Sequence, residues 1–87
     1  MIKLTKTEVA DHEFEIRVEG DLEADALSEF RGLVESCGVP RKLAVNLAGL
    51  KSIDPRGKAY LAQLQGAGHR FFGASMYITR LLDEVKP

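Results

Sequence analysis

Residues 41–66 read RKLAVNLAGLKSIDPRGKAYLAQLQG, and the fold turns on how this stretch is parsed. Leu43, Val45 and Leu47 alternate with the smaller Ala44, Asn46 and Ala48. Period-two alternation predicts a strand with one well-filled face. Gly49 to Ser52 then loosens the pattern, and Asp54-Pro55 restarts it. An Asp at the N-cap accepts a hydrogen bond from a free N–H of the first helical turn, and a Pro just inside has its φ already set. Beyond Pro55 the apolar residues Tyr60, Leu61, Leu64 and Ala67 fall at helical spacing. The stretch therefore reads as strand, tight corner and helix, with Ile53-Asp54-Pro55-Arg56-Gly57 at the corner. Free backbone N–H groups and the positive end of a helix dipole make such a corner a natural recognition point.

Working outward, 87 residues provide for one small domain with a single core. Hydrophobic residues at 45% and charged residues at 29% give an ordinary globular balance, which excludes a disordered chain. A formal net charge of -1 argues against a nucleic-acid binder, which would carry a basic excess. The single cysteine, Cys37, has no partner for an internal disulfide and points to a reducing compartment. It falls on the apolar side of a helix and reads as a small core residue. No apolar run is long enough to cross a bilayer, and the N-terminus lacks a signal-peptide core. The expectation is a cytoplasmic protein without direct membrane insertion.

Upstream, Met1 to Val9 alternates weakly and predicts a first strand, with Ile2 and Leu4 opposed to Lys3, Thr5 and Thr7. Glu13 to Glu19 is a clear half-buried strand: Phe14, Ile16 and Val18 face one way and charges face the other, as in an antiparallel pair or at a sheet edge. Asp11-His12 supplies the turn between them. Gly20-Asp21-Leu22-Glu23 breaks the alternation. Ala26, Leu27, Phe30, Leu33, Val34 and Cys37 then predict an amphipathic helix over about 24–37, with Gly38 placed to end it. Val39-Pro40 leads into the central strand. Downstream, Gly66-Ala67-Gly68 stops the second helix and His69-Arg70-Phe71-Phe72 reads as a short last strand. A third helix follows, with Ser75 as N-cap and Met76, Ile78, Leu81, Leu82 and Val85 as its apolar side. The order β-β-α-β-α-β-α implies parallel crossovers late in the chain and a mixed α/β sheet.

The run Val45-Asn46-Leu47-Ala48-Gly49-Leu50-Lys51-Ser52-Ile53-Asp54-Pro55-Arg56-Gly57, with Leu61 one turn later, resembles the signature of STAS domains. Gly20-Asp21-Leu22-Glu23 is similar to that family's Gly-x-Leu-Asp opening, and Gly73-Ala74-Ser75 with Ile78 and Leu81-Leu82 is similar to its closing segment. The resemblance covers roughly residues 13 to 85. It implies a four-stranded mixed β-sheet with about three helices packed mainly on one face. It also implies a non-catalytic, protein-binding role in signal transduction and regulation, like that of an anti-sigma-factor antagonist.

The corner departs from the family pattern. Anti-sigma-factor antagonists typically carry Asp-Ser-Ser-Gly there, with a phosphorylated serine. Pro55 and Arg56 occupy both serine positions, so no phosphate is accepted at this site, and Ser52 is the alternative phosphoacceptor. Asn46 stands where the family often has Asp. The cations Lys51, Arg56 and Lys58, together with Ser52, Asp54 and Gly57, form the candidate partner-binding set.

From 11 to 29, the acids Asp11, Glu13, Glu15, Glu19, Asp21, Glu23, Asp25 and Glu29 face Arg17 alone. From 41 to 80, Arg41, Lys42, Lys51, Arg56, Lys58, Arg70 and Arg80 face Asp54 alone. Such segregation predicts a polarised surface suited to oriented docking. His12 and His69 have no spaced partner resembling a triad or zinc site, Ser75 and Thr79 read as cap or loop residues, and no P-loop is present. No enzymatic activity, metal or cofactor is expected. Three roles follow: docking to an anti-sigma-factor kinase, a cytosolic subunit of a lipid-transport ATPase, and a small-ligand or nucleotide sensor.

Overall fold

A computed structural model describes residues 2–23, 25–38 and 42–83. The predicted helix start at Ala24, the Val39-Pro40 connector, Arg41, Met1 and Val85 lie outside the described residues. The elements are β1 (Ile2–Ala10), β2 (Glu13–Leu22), α1 (Asp25–Glu35), β3 (Lys42–Ile53), α2 (Pro55–Gly66), β4 (Arg70–Phe72) and α3 (Met76–Asp83). They form one four-stranded mixed sheet in the order β1-β2-β3-β4. β1 pairs antiparallel with β2, while β2–β3 and β3–β4 are parallel. Both helical crossovers step the same way across the sheet, so right-handed connections carry α1 and α2 to the same face. The expected α/β class and element order are those of the structure.

The core follows from strand parity. Ile16 and Val18 of β2, Leu43, Val45 and Leu47 of β3, Leu27 and Phe30 of α1, Leu61 and Leu64 of α2, and Ile78 and Leu82 of α3 form one buried cluster. Phe30 and Tyr60 meet edge to face at 5.6 Å, joining α1 to α2. Cys37 is buried in the same cluster, its Sγ 3.6 Å from the Leu33 carbonyl oxygen. Burial pushes its thiol pKa up, as for an inert core cysteine.

β3 does not end where its alternation ends. The sequence reading follows the alternation to Ala48 and has the chain loosen from Gly49, yet pairing with β2 continues to Leu22↔Ile53. The register slips between Arg17 and Glu19 and again between Gly20 and Asp21, with the extra residue on β3 each time. Two bulges convert the inward set 43, 45, 47 into 50 and 53, a spacing of two then three. Period-two reading loses the strand there because the strand itself changes step. The first bulge leaves the Ala48 N–H to be satisfied locally, and Asn46 Oδ1 accepts from it at 3.0 Å. At the same place Gly49 lies against Glu19, where a Cβ would stand 2.6 Å from Glu19 Cγ.

Of the two settings that the wet face of β2 suggested, the structure has the antiparallel pair, with β1 on one side and β3 on the other. Two further expectations are corrected. Ala67 follows α2 and is exposed, because the helix ends at Gly66. Met76 is 75% exposed, since the buried stripe of α3 is Ile78 and Leu82. Ser75 does cap α3, accepting from the Ile78 N–H at 3.2 Å.

The β1–β2 turn places His12 at φ 56, the left-handed region, where a Cβ is unfavourable. Its ring is exposed beside the still more exposed Asp11 carboxylate, which marks it as a turn residue. Replacing His12 by Gly should raise stability by about 0.5–1 kcal/mol in urea unfolding. An unchanged or lowered midpoint would contradict the assignment of strain to this residue.

Candidate functional site

The corner is built by three contacts. The Asp54 N–H donates to the Leu22 carbonyl at 3.2 Å, tying the end of β3 to the end of β2. Asp54 Oδ1 accepts from the Gly57 N–H at 2.8 Å, the N-cap bond that the sequence predicts. Pro55 takes the first helical turn, where its missing N–H costs nothing. Gly57 is buried against β2, and a Cβ on it would stand 2.9 Å from the Leu22 carbonyl oxygen and 2.9 Å from Ile53 Cγ1. Glycine is thus required for close approach, and the first turn of α2 sits directly on the carboxyl end of β2.

One side of the corner is acidic. Ser52 Oγ lies 2.7 Å from Asp21 Oδ1 and 2.8 Å from Glu23 Oε1. A single hydroxyl proton serves one carboxylate at a time, so Ser52 is shared between two anions. Its hydrogen bond holds the Asp21 carboxyl below its ordinary value, against a smaller opposing effect of desolvation. A phosphate on Ser52 would be placed beside both carboxylates, where like charges repel.

Of the three corner cations, Arg56 alone lines a depression between helices. Arg56 is exposed and has no ion-pair partner among the described residues. It lines a depression of about 250 Å³ between α1 and α2 with Leu27, Arg31, Ala59, Tyr60 and Gln63. Lys51 is exposed and Lys58 half-buried and already engaged, and neither lines that depression. Arg31 does, its guanidinium carbon 5.2 Å from the Tyr60 ring centroid. The sequence reading missed Arg31. The signal was present in its position one turn beyond Leu27, on the border of the apolar side of α1.

The acidic and basic runs interleave in space. β2 and β3 are neighbours, Lys42 Nζ lies 4.0 Å from Glu13 Oε1, and Ser52 joins the basic segment to Asp21 and Glu23. The polarity written along the chain is therefore largely folded together.

A second cavity of about 480 Å³ lies at the opposite ends of the strands, with Glu13, Phe14, Lys42, Leu43, His69 and Arg70 in its lining. No group of three or more His, Cys, Asp or Glu side chains suited to a metal occurs among the described residues. Among them, too, no helix is long and apolar enough to cross a membrane. No protein-family model matches the chain, and no curated protein matches it.

Two outcomes test the corner. Gly57→Ala should destabilise the fold by about 1–3 kcal/mol, because a buried Cβ forces the α2 start off β2. A stability loss below a few tenths would mean that the close approach is not constraining. Asp21, with its lowered folded-state pKa, contributes stability that is present above its ordinary value of 3.8 and lost as pH falls through the depressed one. Ser52→Ala should raise the Asp21 midpoint in an NMR carboxyl titration; an unmoved midpoint would rule out the hydroxyl as its cause.

Proposed function

We propose that this chain is a non-catalytic protein-docking module of the STAS kind, engaging its partner through the Asp54–Gly57 corner and the exposed side of α2. In this reading the corner is not switched by phosphorylation, because Pro55 and Arg56 stand in both positions where a serine would be expected.

The observation that carries the proposal is a corner fixed from within that leaves Arg56 outside. The Asp54 backbone and side chain and the buried Gly57 hold the first turn of α2 against β2. A preorganised surface loses little entropy on docking. A cation at that point opposes the helix dipole at a cost of about 0.3–1 kcal/mol when exposed. Its presence is economical if a partner's anion meets it.

Catalysis is not part of this reading. His12 lies in the β1–β2 turn, His69 before β4, and Cys37 in the core beyond α1. Two partner classes suit an unswitched corner: an anti-sigma-factor kinase, or a transport ATPase for which this chain is the cytosolic subunit.

A pull-down from cytosolic and membrane fractions with wild type and Arg56→Glu distinguishes these. Loss of a bound protein in the variant, with unchanged unfolding, supports docking at the corner, and the fraction that supplies it separates the two classes. Equal capture by both proteins would move the interface away from the corner.

A further inference from the structure

We infer that the depression between α1 and α2 is a receptor for a phosphorylated side chain of the docking partner, gripped by Arg31 and Arg56. This rests on the docking reading above and names the group that the surface recognises.

Two arginines from different helices line one small depression, and neither has an ion-pair partner among the described residues. Unpaired guanidinium groups at one site supply a charge of about +2, which matches a phosphate monoester at about −1.5 to −2. Guanidinium is planar and forked, so it binds phosphate oxygens in pairs. The two are not equivalent in rigidity. Arg31 rests over the Tyr60 ring at 5.2 Å and is oriented by that contact before anything binds. Arg56 is set by the first turn of α2, which the cap bond and Gly57 hold in place.

The floor supplies the remaining chemistry. Tyr60 lines the depression, and its hydroxyl, which reaches solvent, makes no hydrogen bond among the described residues. It is a donor available to an oxyanion. Its pKa is raised by burial, which keeps that proton in place near neutrality. Leu27 and Ala59 provide apolar surface for the carbon stem that carries the phosphate. Among the described residues, no carboxylate lines the depression. Glu35, one turn beyond Arg31, acts on Tyr60 electrostatically and marks the limit of the positive region.

Size and charge together favour a side chain over a larger ligand. About 250 Å³ is below the range of about 300–1,000 Å³ typical of small-molecule sites, and an open depression suits a group presented on another surface.

The test is an NMR titration of the whole protein with N-acetyl-phosphoserine-N-methylamide, the unphosphorylated serine compound and inorganic phosphate. The phosphoserine compound should bind saturably, shifting the amides of Arg31, Arg56 and Tyr60, and the serine compound should not bind. Arg31→Gln and Arg56→Gln should each weaken binding about tenfold, the loss of one charge-assisted contact. Arg17→Gln, an equal charge change on the other sheet face, should leave it unaltered. Absence of saturable binding, equal weakening by Arg17→Gln, or inorganic phosphate binding as tightly as the phosphoserine compound would overturn the assignment. Phosphatase treatment of the fractions used for the pull-down separates the two proposals. Capture that survives dephosphorylation but is lost in Arg56→Glu leaves docking standing and removes the phosphate receptor.

Discussion

The structure depends on the contact between the start of α2 and the end of β2. At that point a backbone carbonyl, that of Leu22, accepts from the Asp54 N–H and lies against the face of Gly57. One oxygen therefore ties the end of β2 to the residue that follows β3 and sets the distance of the helix above them. Everything after it in the chain inherits that position, since α2 delivers β4 to the far side of β3. Side-chain bulk at Gly57 would transmit to the whole second crossover, because packed interiors yield little.

The two bulges of β3 belong to the same constraint. Parallel pairing from Glu13↔Lys42 to Leu22↔Ile53 must bring Leu22 and Asp54 together while keeping large residues inward. Regular pleating from Leu47 would put Leu50 on the open face. The inserted residues rotate it back, and Leu50 is 4% exposed. Asn46 satisfies the amide freed by the first bulge, and the positive φ of Gly73 brings the β4–α3 turn close to the same side chain. An Asp at position 46 would offer the same acceptor, but at the cost of burying a charge. The amide fits this site without that cost.

Charge at the corner is divided by the sheet and helix geometry rather than by the sequence. The end of β3 turns Ser52 toward the carboxylates at the end of β2, and α2 turns Arg56 toward α1. An acidic and a basic side thus stand back to back across a few residues. Such an arrangement orients an approaching partner more than it strengthens a complex. Arg31 completes the basic side only because Phe30 and Tyr60 bring the two helices into contact.

Much of this was legible from the residues alone. Alternation over Phe14–Val18 and Leu43–Leu47, helical spacing over Leu27–Val34, and the Asp54-Pro55 start of α2 specify local geometry, which is why the element order, the cap and the core followed from them. The resemblance at the corner likewise concerned a continuous run of chain. What the sequence left open was whatever depends on two segments at once. The extension of β3 to Ile53 needs its partner strand to define the bulges, and the exposure of Met76 depends on which side of α3 meets α2 and β3. That Arg56 lines a depression with Arg31, and not with Lys51 or Lys58, is set by packing between elements distant in the chain. Periodicity records how a residue faces relative to its near neighbours; which surface it then meets is decided only when the tertiary fold closes.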